Sequence, residues 1–216
     1  MNKAKNSLFQ THAILGAMVL ILVLSFFVSS SYRGIAHDEG IGGFRAGAMR
    51  ILARQPIFDP KKEGGDPKDQ ARLMYIVLIA LGHKIFGFSL AAYHIFPYLL
   101  QILNPCLFFV VVFRFYKSTW WGLTGALLFI FHPFILVHLN QQHNHPVFMF
   151  FLLILLLLFE SALQNPKLLI IFGVIASLLI LTRFEGGVIF VTLLYGMYIL
   201  YRWKNGIPVK WLILSF

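Results

Sequence analysis

The sequence predicts an all-α protein that crosses a membrane several times. Of its 216 residues, 59% are hydrophobic and only 12% are charged, whereas about a quarter of the residues in a soluble globular chain are charged. The apolar residues form long uncharged runs, and most of the cations behind the net charge of +10 flank those runs, as cations at a membrane surface do. These features exclude a soluble enzyme and favour membrane lipids over nucleic acid as a partner.

The first predicted span covers residues 13–30, inside a run without charge between Lys5 and Arg33. A large outer loop is predicted at 31–90, because glycine and proline recur there and six of the eight acidic residues lie in it. Two helices within this loop are expected to lie at the membrane interface. The segment 43-GFRAGAMRILARQ-55 places apolar residues on one helical side, and residues 73–83 are uncharged over a length that covers only about half of a bilayer.

The rest of the sequence predicts further spans, which makes about six in all. Residues 85–113 are free of formal charge, with kinks predicted at Pro97 and Pro105, and the later runs are separated by the polar segment 138-HLNQQHNHP-146 and by 183-RFE-185. The predicted spans are 91–115, 120–137, 147–163, 168–182 and 186–201. Residues 208–216 begin another apolar run, so we expect the chain to be an amino-terminal portion that lacks the C-terminal part of its fold.

The distribution of lysine and arginine predicts a cytoplasmic amino terminus, and the membrane we expect is the plasma membrane. In that orientation the short outer loops hold only Arg183, and an excess of cations on the cytoplasmic side sets orientation. The 31–90 loop carries nine cations, but loops near 60 residues follow the rule weakly. The inner segments hold eight cations: Lys3, Lys5, Arg114, Lys117, Lys167, Arg202, Lys204 and Lys210.

This topology places three polar clusters on the outer face: 37-HDE-39, 138-HLNQQHNH-145 and 183-RFE-185. Ionisable groups at membrane depth are costly and therefore indicate a functional site. Asp38 and Glu39 point in different directions, so they do not form a dyad by themselves. One of them is a candidate general base, and the alternative is a helix cap.

The other two clusters contain candidate ligands for a substrate. His143 and His145 are open to three interpretations: ordinary polar loop, substrate contact, or a divalent metal, which no zinc motif supports. Arg183 suits a phosphate, because its guanidinium offers planar paired donors and stays charged. A local ion pair with Glu185 or a contact with lipid headgroups explains Arg183 equally well.

The order of these features resembles the GT-C membrane glycosyltransferases. A first span followed by Asp-Glu, an interfacial helix, an apolar stretch ending in Lys-Ile-Phe-Gly-Phe-Ser and the later segment LTRFEGG are similar to the dolichyl-phosphate-mannose protein mannosyltransferase superfamily of family 39, which includes bacterial lipid-A sugar transferases. The resemblance covers roughly residues 10–203. It implies transfer of a sugar, with inversion, from a polyprenyl phosphate to an acceptor hydroxyl at the outer face.

Carried onto this sequence, the resemblance makes Asp38 the catalytic acidic residue and Glu39 its partner, and it places Arg183 near the donor phosphate. The segment 140-NQQHNH-145 departs from relatives that have an acidic residue nearby, so a metal is left open.

The predicted function is therefore a glycosyltransferase with Asp38 as general base. Glu39, His143, His145, Arg183 and Glu185 are its predicted substrate-binding residues. Its expected partners are a polyprenyl-phosphate sugar and a lipid, protein or glycan acceptor. Two alternatives are a non-enzymatic lipid-binding or transport component and an inactive truncated product.

Overall fold

The structure, a computed structural model, describes residues 2–31, 48–54, 72–133, 135–136 and 144–205, and in these ranges it contains helices and no strand. Residues 48–52 are helical, and a 3-10 turn spans Pro166–Leu168. The α-helices are α1 Asn2–Ser31, α2 Leu73–Phe86, α3 Leu90–Tyr116, α4 Thr119–Ile130, α5 His145–Gln164, α6 Leu169–Thr182 and α7 Phe184–Lys204. The predicted fold class, a polytopic helical membrane protein, is confirmed.

Among the described residues, four helices are long and apolar enough to cross a membrane: Thr11–Ser30, Ala92–Tyr116, His145–Gln164 and Phe184–Lys204. The apolar helices α2, α4 and α6 are shorter. A helix lies in each of the six predicted ranges, but the assignment of α4 and α6 as full spans stays a prediction. Helix α4 ends at Ile130, before the predicted end at 137, because Pro133 disfavours the helical conformation of the residue before it.

Helices α2 and α3 form a hairpin whose turn depends on two residues. Gly87 has a φ of 75°, a conformation that glycine adopts without steric cost. The side chain of Ser89 accepts a hydrogen bond of 3.1 Å from the backbone N–H of Ala92 and so caps α3. One face of α2 is buried in the bundle and includes Tyr75, Ile76, Ile79 and Ala80. Its predicted position at the membrane interface stays a prediction.

Within the described ranges, the core divides into two main clusters. The larger one joins α2, α3, α5, α6 and α7 through side chains that include Phe151, Phe172 and Leu179. The second joins α1, α3 and α4, where Ile21 and Phe109 are buried. Large apolar side chains are exposed along the outside of α1, α4, α6 and α7, as expected for surfaces that face lipid.

The helix directions define two ends of the bundle. Helices α3 and α5 run in the same direction, because Asn104 contacts Pro146 and Arg114 contacts Leu157. One end of the bundle contains the start of α5, the end of α6 and the start of α7. We call it the His145 end. We call the opposite end the Arg114 end. Basic residues at the Arg114 end, by their positions along these helices, are Arg114, Lys117, Lys167, Arg202 and Lys204.

Candidate functional site

Three of the six predicted site residues lie in the described part of the chain. His145, Arg183 and Glu185 are all at the His145 end, on α5 and at the junction of α6 with α7. Asp38, Glu39 and His143 lie outside the described residues. The described residues therefore include parts of the second and third predicted polar clusters, and the role of the first stays a prediction.

His145 and Arg183 come together although 38 residues separate them in the chain. The Nη1 atom of Arg183 is 3.4 Å from Nδ1 of His145 in an exposed position. A guanidinium can only donate, so Nδ1 of His145 is the acceptor in this contact. The Arg183 guanidinium has further N–H groups beyond the one that faces His145, and these are donors that an anion at this site requires.

A buried hydrogen bond lies directly beside this contact. The side-chain Nδ2 of Asn144 donates to the backbone oxygen of Thr182 over 2.7 Å, and both residues are almost fully buried, at 2% and 0% exposed. Asn144 and Thr182 immediately precede His145 and Arg183. This bond therefore fixes the start of α5 against the end of α6, and with it the distance between the two site residues.

The two glycines after Arg183 allow α6 and α7 to meet closely. A Cβ on Gly187 would lie 2.6 Å from Cα of Ile180, which is closer than real Cβ atoms approach. A Cβ on Gly186 would lie 3.2 Å from the ring of Phe148 on α5. The predicted segment LTRFEGG is therefore a tight helix–helix turn in which small residues permit close packing.

Glu185 is exposed in the first turn of α7. A carboxylate in that position interacts favourably with the amino end of the helix dipole. Within the described residues, Arg183 contacts His145 and forms no ion pair with Glu185. The Arg183 guanidinium therefore contacts a residue of α5, His145, and not Glu185, which is two residues away in the sequence.

An apolar groove runs from this site between α3, α4 and the start of α5. Its volume is about 590 Å³, and its walls are mostly hydrophobic side chains. Gln101, Asn104 and His145 line it at the His145 end, and Tyr116 and Trp121 line it toward the Arg114 end. Because α3 rises about 1.5 Å per residue, the lining from residue 101 to 116 extends over about 22 Å. The groove has the length and polarity that a hydrocarbon chain requires.

Polar side chains are concentrated at the His145 end of this groove. Asn104 is 1% exposed, and its Nδ2 donates to the backbone oxygen of Pro146 over 2.9 Å. His132, which follows α4, also lines the groove. Because His145 borders both the groove and Arg183, a lipid in the groove would have its head group beside the arginine.

The described residues contain no group of three or more His, Cys, Asp or Glu side chains that could hold a metal ion. His145 has Arg183 as a neighbour at 3.4 Å, and a permanent cation beside an imidazole disfavours a bound metal cation. His143 and the two acidic residues of the first cluster lie outside the described residues, so the described donor set does not by itself fit a metal site.

Sequence reasoning missed Asn104, Asn144, Thr182 and the lining residue His132. Asn104 is a polar residue within an otherwise apolar run, and that was a detectable signal, since polar groups within membrane helices are often functional. Asn144 was part of the predicted polar segment, but its side chain faces the core and not the solvent. Nothing in the sequence distinguishes Thr182 from the other small residues near the helix ends.

Comparison with known proteins adds one finding. A family model described as dolichyl-phosphate-mannose-protein mannosyltransferase matches residues 69–216, more than half of the chain. No curated protein sequence and no solved structure matches the chain significantly. The matched residues include α2 to α7, and therefore the groove and the His145–Arg183 pair, whereas Asp38 and Glu39 precede them.

Proposed function

The chain belongs to the dolichyl-phosphate-mannose-protein mannosyltransferase family, and from this premise we propose that it moves a sugar from a polyprenyl-phosphate donor to an acceptor hydroxyl, with inversion. The observation that carries the proposal is the apolar groove that ends at His145, where His145 meets Arg183. The acceptor is a lipid, protein or glycan hydroxyl.

The groove suits the isoprenoid tail of such a donor. Each CH₂ group kept from water contributes about 0.8 kcal/mol, so a long tail stays in the membrane and its phosphate must be bound at the interface. The groove is about 22 Å long, as obtained from the helical rise along α3. This length accommodates the first few isoprene units. The rest of the tail extends into the surrounding lipid.

Arg183 and His145 are suited to hold the donor phosphate. The Arg183 guanidinium supplies charge and paired donors, and His145 lies beside it, with Nδ1 3.4 Å from Nη1 of Arg183. As the bond between sugar and phosphate breaks, negative charge grows on the phosphate oxygens. Donors placed beforehand around that position stabilise the transition state.

The acceptor is activated by Asp38. Its carboxylate takes the proton of the acceptor hydroxyl while that oxygen attacks the anomeric carbon from the side opposite the phosphate. The bond from the anomeric carbon to the phosphate oxygen breaks, and the phosphate leaves with the electron pair, so no strong acid is needed. Glu39, His143 and Glu185 are proposed to bind sugar or acceptor hydroxyls.

Two features of the chain support the role of Asp38. Helix α1 runs opposite to α3, since the Ser30 hydroxyl is 2.9 Å from the Tyr98 hydroxyl and Cys106 contacts the Met18 carbonyl. It therefore ends at Ser31, on the side of α3 toward the His145 end. An extended chain spans about 3.5 Å per residue, so the link from Ser31 to Asp38 covers up to about 25 Å. We place the reaction at the outer face of the plasma membrane, with the amino terminus cytoplasmic.

The test is transfer of radiolabelled mannose from dolichyl-phosphate mannose by the full chain in membrane vesicles. Asp38→Asn should lower the transfer rate at least about 100-fold, the usual contribution of a general base, while expression stays unchanged. Asp59→Asn, the same substitution in the segment 59-DPKKEGGDPKDQ-70, is the matched control and should retain wild-type transfer.

Full transfer by the Asp38→Asn protein would remove the mechanism. Binding of the donor by the wild-type protein without any transfer to lipid, protein or glycan would favour the non-enzymatic alternative, a lipid-binding component.

A further inference from the structure

Asn104 is a polar residue whose hydrogen-bonding capacity is only partly used among the described residues. Its Nδ2 donates to the backbone oxygen of Pro146 over 2.9 Å. Since a carbonyl only accepts, this bond fixes which amide atom is the nitrogen. The Oδ1 atom is buried and has no hydrogen-bond partner among the described residues.

Burial makes this unpaired oxygen informative. A buried acceptor without a donor loses its hydration and gains nothing in return, so native structures rarely leave one unpaired. Asn104 lies in the wall of the groove at its polar end, and it is bonded to the residue that follows His145. A group that enters the groove at this end is therefore in position to supply the missing donor.

The chemistry of the missing partner is restricted to an O–H or N–H group. The phosphodiester of a polyprenyl-phosphate sugar is an anion without such a donor, and its isoprenoid tail has none. The sugar hydroxyls are the donors of that molecule. Once the sugar has been transferred, the remaining lipid phosphate has lost all of them.

We propose that Oδ1 of Asn104 accepts a hydrogen bond from a sugar hydroxyl of the bound lipid, so that the site prefers the sugar-loaded lipid to the spent lipid phosphate. This rests on the proposed function for the identity of the lipid. Asn104 is thus a specificity-determining residue. It opposes the general attraction of the Arg183 cation for the more highly charged spent phosphate, and so it favours replacement of the product by a fresh sugar-loaded lipid.

The experiment measures binding of dolichyl-phosphate mannose and of dolichyl phosphate to the purified full chain in detergent, without any transfer step. The quantity of interest is the ratio of the two affinities. Asn104→Leu removes both amide atoms and should lower the preference for the mannose lipid about five- to tenfold, as expected for one hydrogen bond. Asn104→Asp keeps acceptor oxygens, loses the Nδ2–H group, and should retain the wild-type preference or increase it.

Met149→Leu is the matched control, since it alters the groove wall without adding or removing a hydrogen-bonding donor. It should change both affinities by the same factor. Elution volume and apparent melting temperature in detergent establish that each variant is folded.

Two results would overturn the inference and leave the proposed function standing. One is an unchanged affinity ratio in Asn104→Leu, which would assign Oδ1 to water. The other is an equal loss of preference in the Leu and Asp variants, which would mean that only the bond to Pro146 matters. If the wild-type protein bound neither lipid, the donor assignment itself would fail, and this inference with it.

Discussion

The two ends of the bundle each contain an asparagine that bonds to a backbone oxygen, but the two bonds lie in different surroundings. Asn144 at the His145 end and Asn205 at the Arg114 end each donate Nδ2 to a backbone oxygen over 2.7 Å. The Asn144 bond is buried and joins two helices, whereas the Asn205 bond is exposed and reaches back four residues to Tyr201. The first therefore sets how helices are placed, and the second only closes a helix end.

The arginines show the same contrast. At the Arg114 end, Arg114 donates to the Leu157 backbone oxygen over 3.3 Å and lies 3.9 Å from the Glu160 carboxylate. At the His145 end, Arg183 contacts the imidazole of His145, a residue that lines the groove. The cation of the first pair is offset by an acid, while that of the second remains available to an anion. This difference is the basis of our proposal that the His145 end is the functional one, and the following substitutions test it.

The largest effect is expected from adding a side-chain atom at Gly187, where α6 and α7 are in close contact. Gly187→Ala would place a Cβ 2.6 Å from Cα of Ile180, and a backbone atom cannot rotate away. Overpacking of this kind costs about 3 kcal/mol, and the Arg183 turn should move with it, so sugar transfer should fall at least tenfold. The apparent melting temperature and the transfer rate measure both effects.

Gly196→Ala is the matched control, on the same helix and with nothing within 4 Å of the new Cβ. Because alanine favours a helix over glycine by about 1 kcal/mol, this variant should be as stable as the wild type or more so. If both variants behaved alike, the close approach at Gly187 would have no importance.

The next largest effect is expected at Arg183. Arg183→Ala removes a charged donor, and a hydrogen bond to a charged group contributes about 1.5–3 kcal/mol, so donor affinity should fall about 10- to 100-fold. Arg114→Ala, the same change at the other end, should leave it unchanged. Binding of dolichyl phosphate to each purified variant measures this. Equal losses would mean that the arginines attract the lipid only through general charge.

Much of the fold was predictable because a membrane requires long uncharged runs, and such runs are visible in a sequence. The prediction of 91–115 therefore differs by one residue at each end from Leu90–Tyr116. The sequence also predicted that His145 and Arg183 lie at the same end of the bundle. Successive spans run in opposite directions, so the segment before α5 and the turn between α6 and α7 lie on one side.

The contacts of the residues that the sequence analysis missed depend on how each helix is rotated about its own axis. A helix that is apolar all round gives no pattern from which its buried face can be read. Leu169–Thr182 is such a helix, so the burial of Thr182 against Asn144 could not be predicted. Asn104 stood out as a polar residue, but its contact with Pro146 requires the relative rotation of α3 and α5.

A smaller effect is expected from removing the buried link itself. Asn144→Ala leaves the Thr182 carbonyl without its donor, and an unpaired buried acceptor costs about 1–3 kcal/mol. The apparent melting temperature should drop, and transfer should fall severalfold as His145 and Arg183 lose their spacing. Asn205→Ala breaks a bond of the same length in an exposed position and should change neither. Equal stability of the two variants would contradict the importance of burial.

The smallest effect is expected at the ion pair of the Arg114 end. The side chains of Arg114 and Glu160 are 43% and 36% exposed, and exposed ion pairs contribute about 0–1 kcal/mol. Glu160→Gln keeps the size of the side chain and removes its charge, so stability should change by less than about 1 kcal/mol and transfer should not change. Melting temperature at low and high salt measures the pair directly, because salt screens exposed charges. A loss of transfer in Glu160→Gln would show that chemistry also depends on the Arg114 end, and the distinction between the two ends would then be wrong.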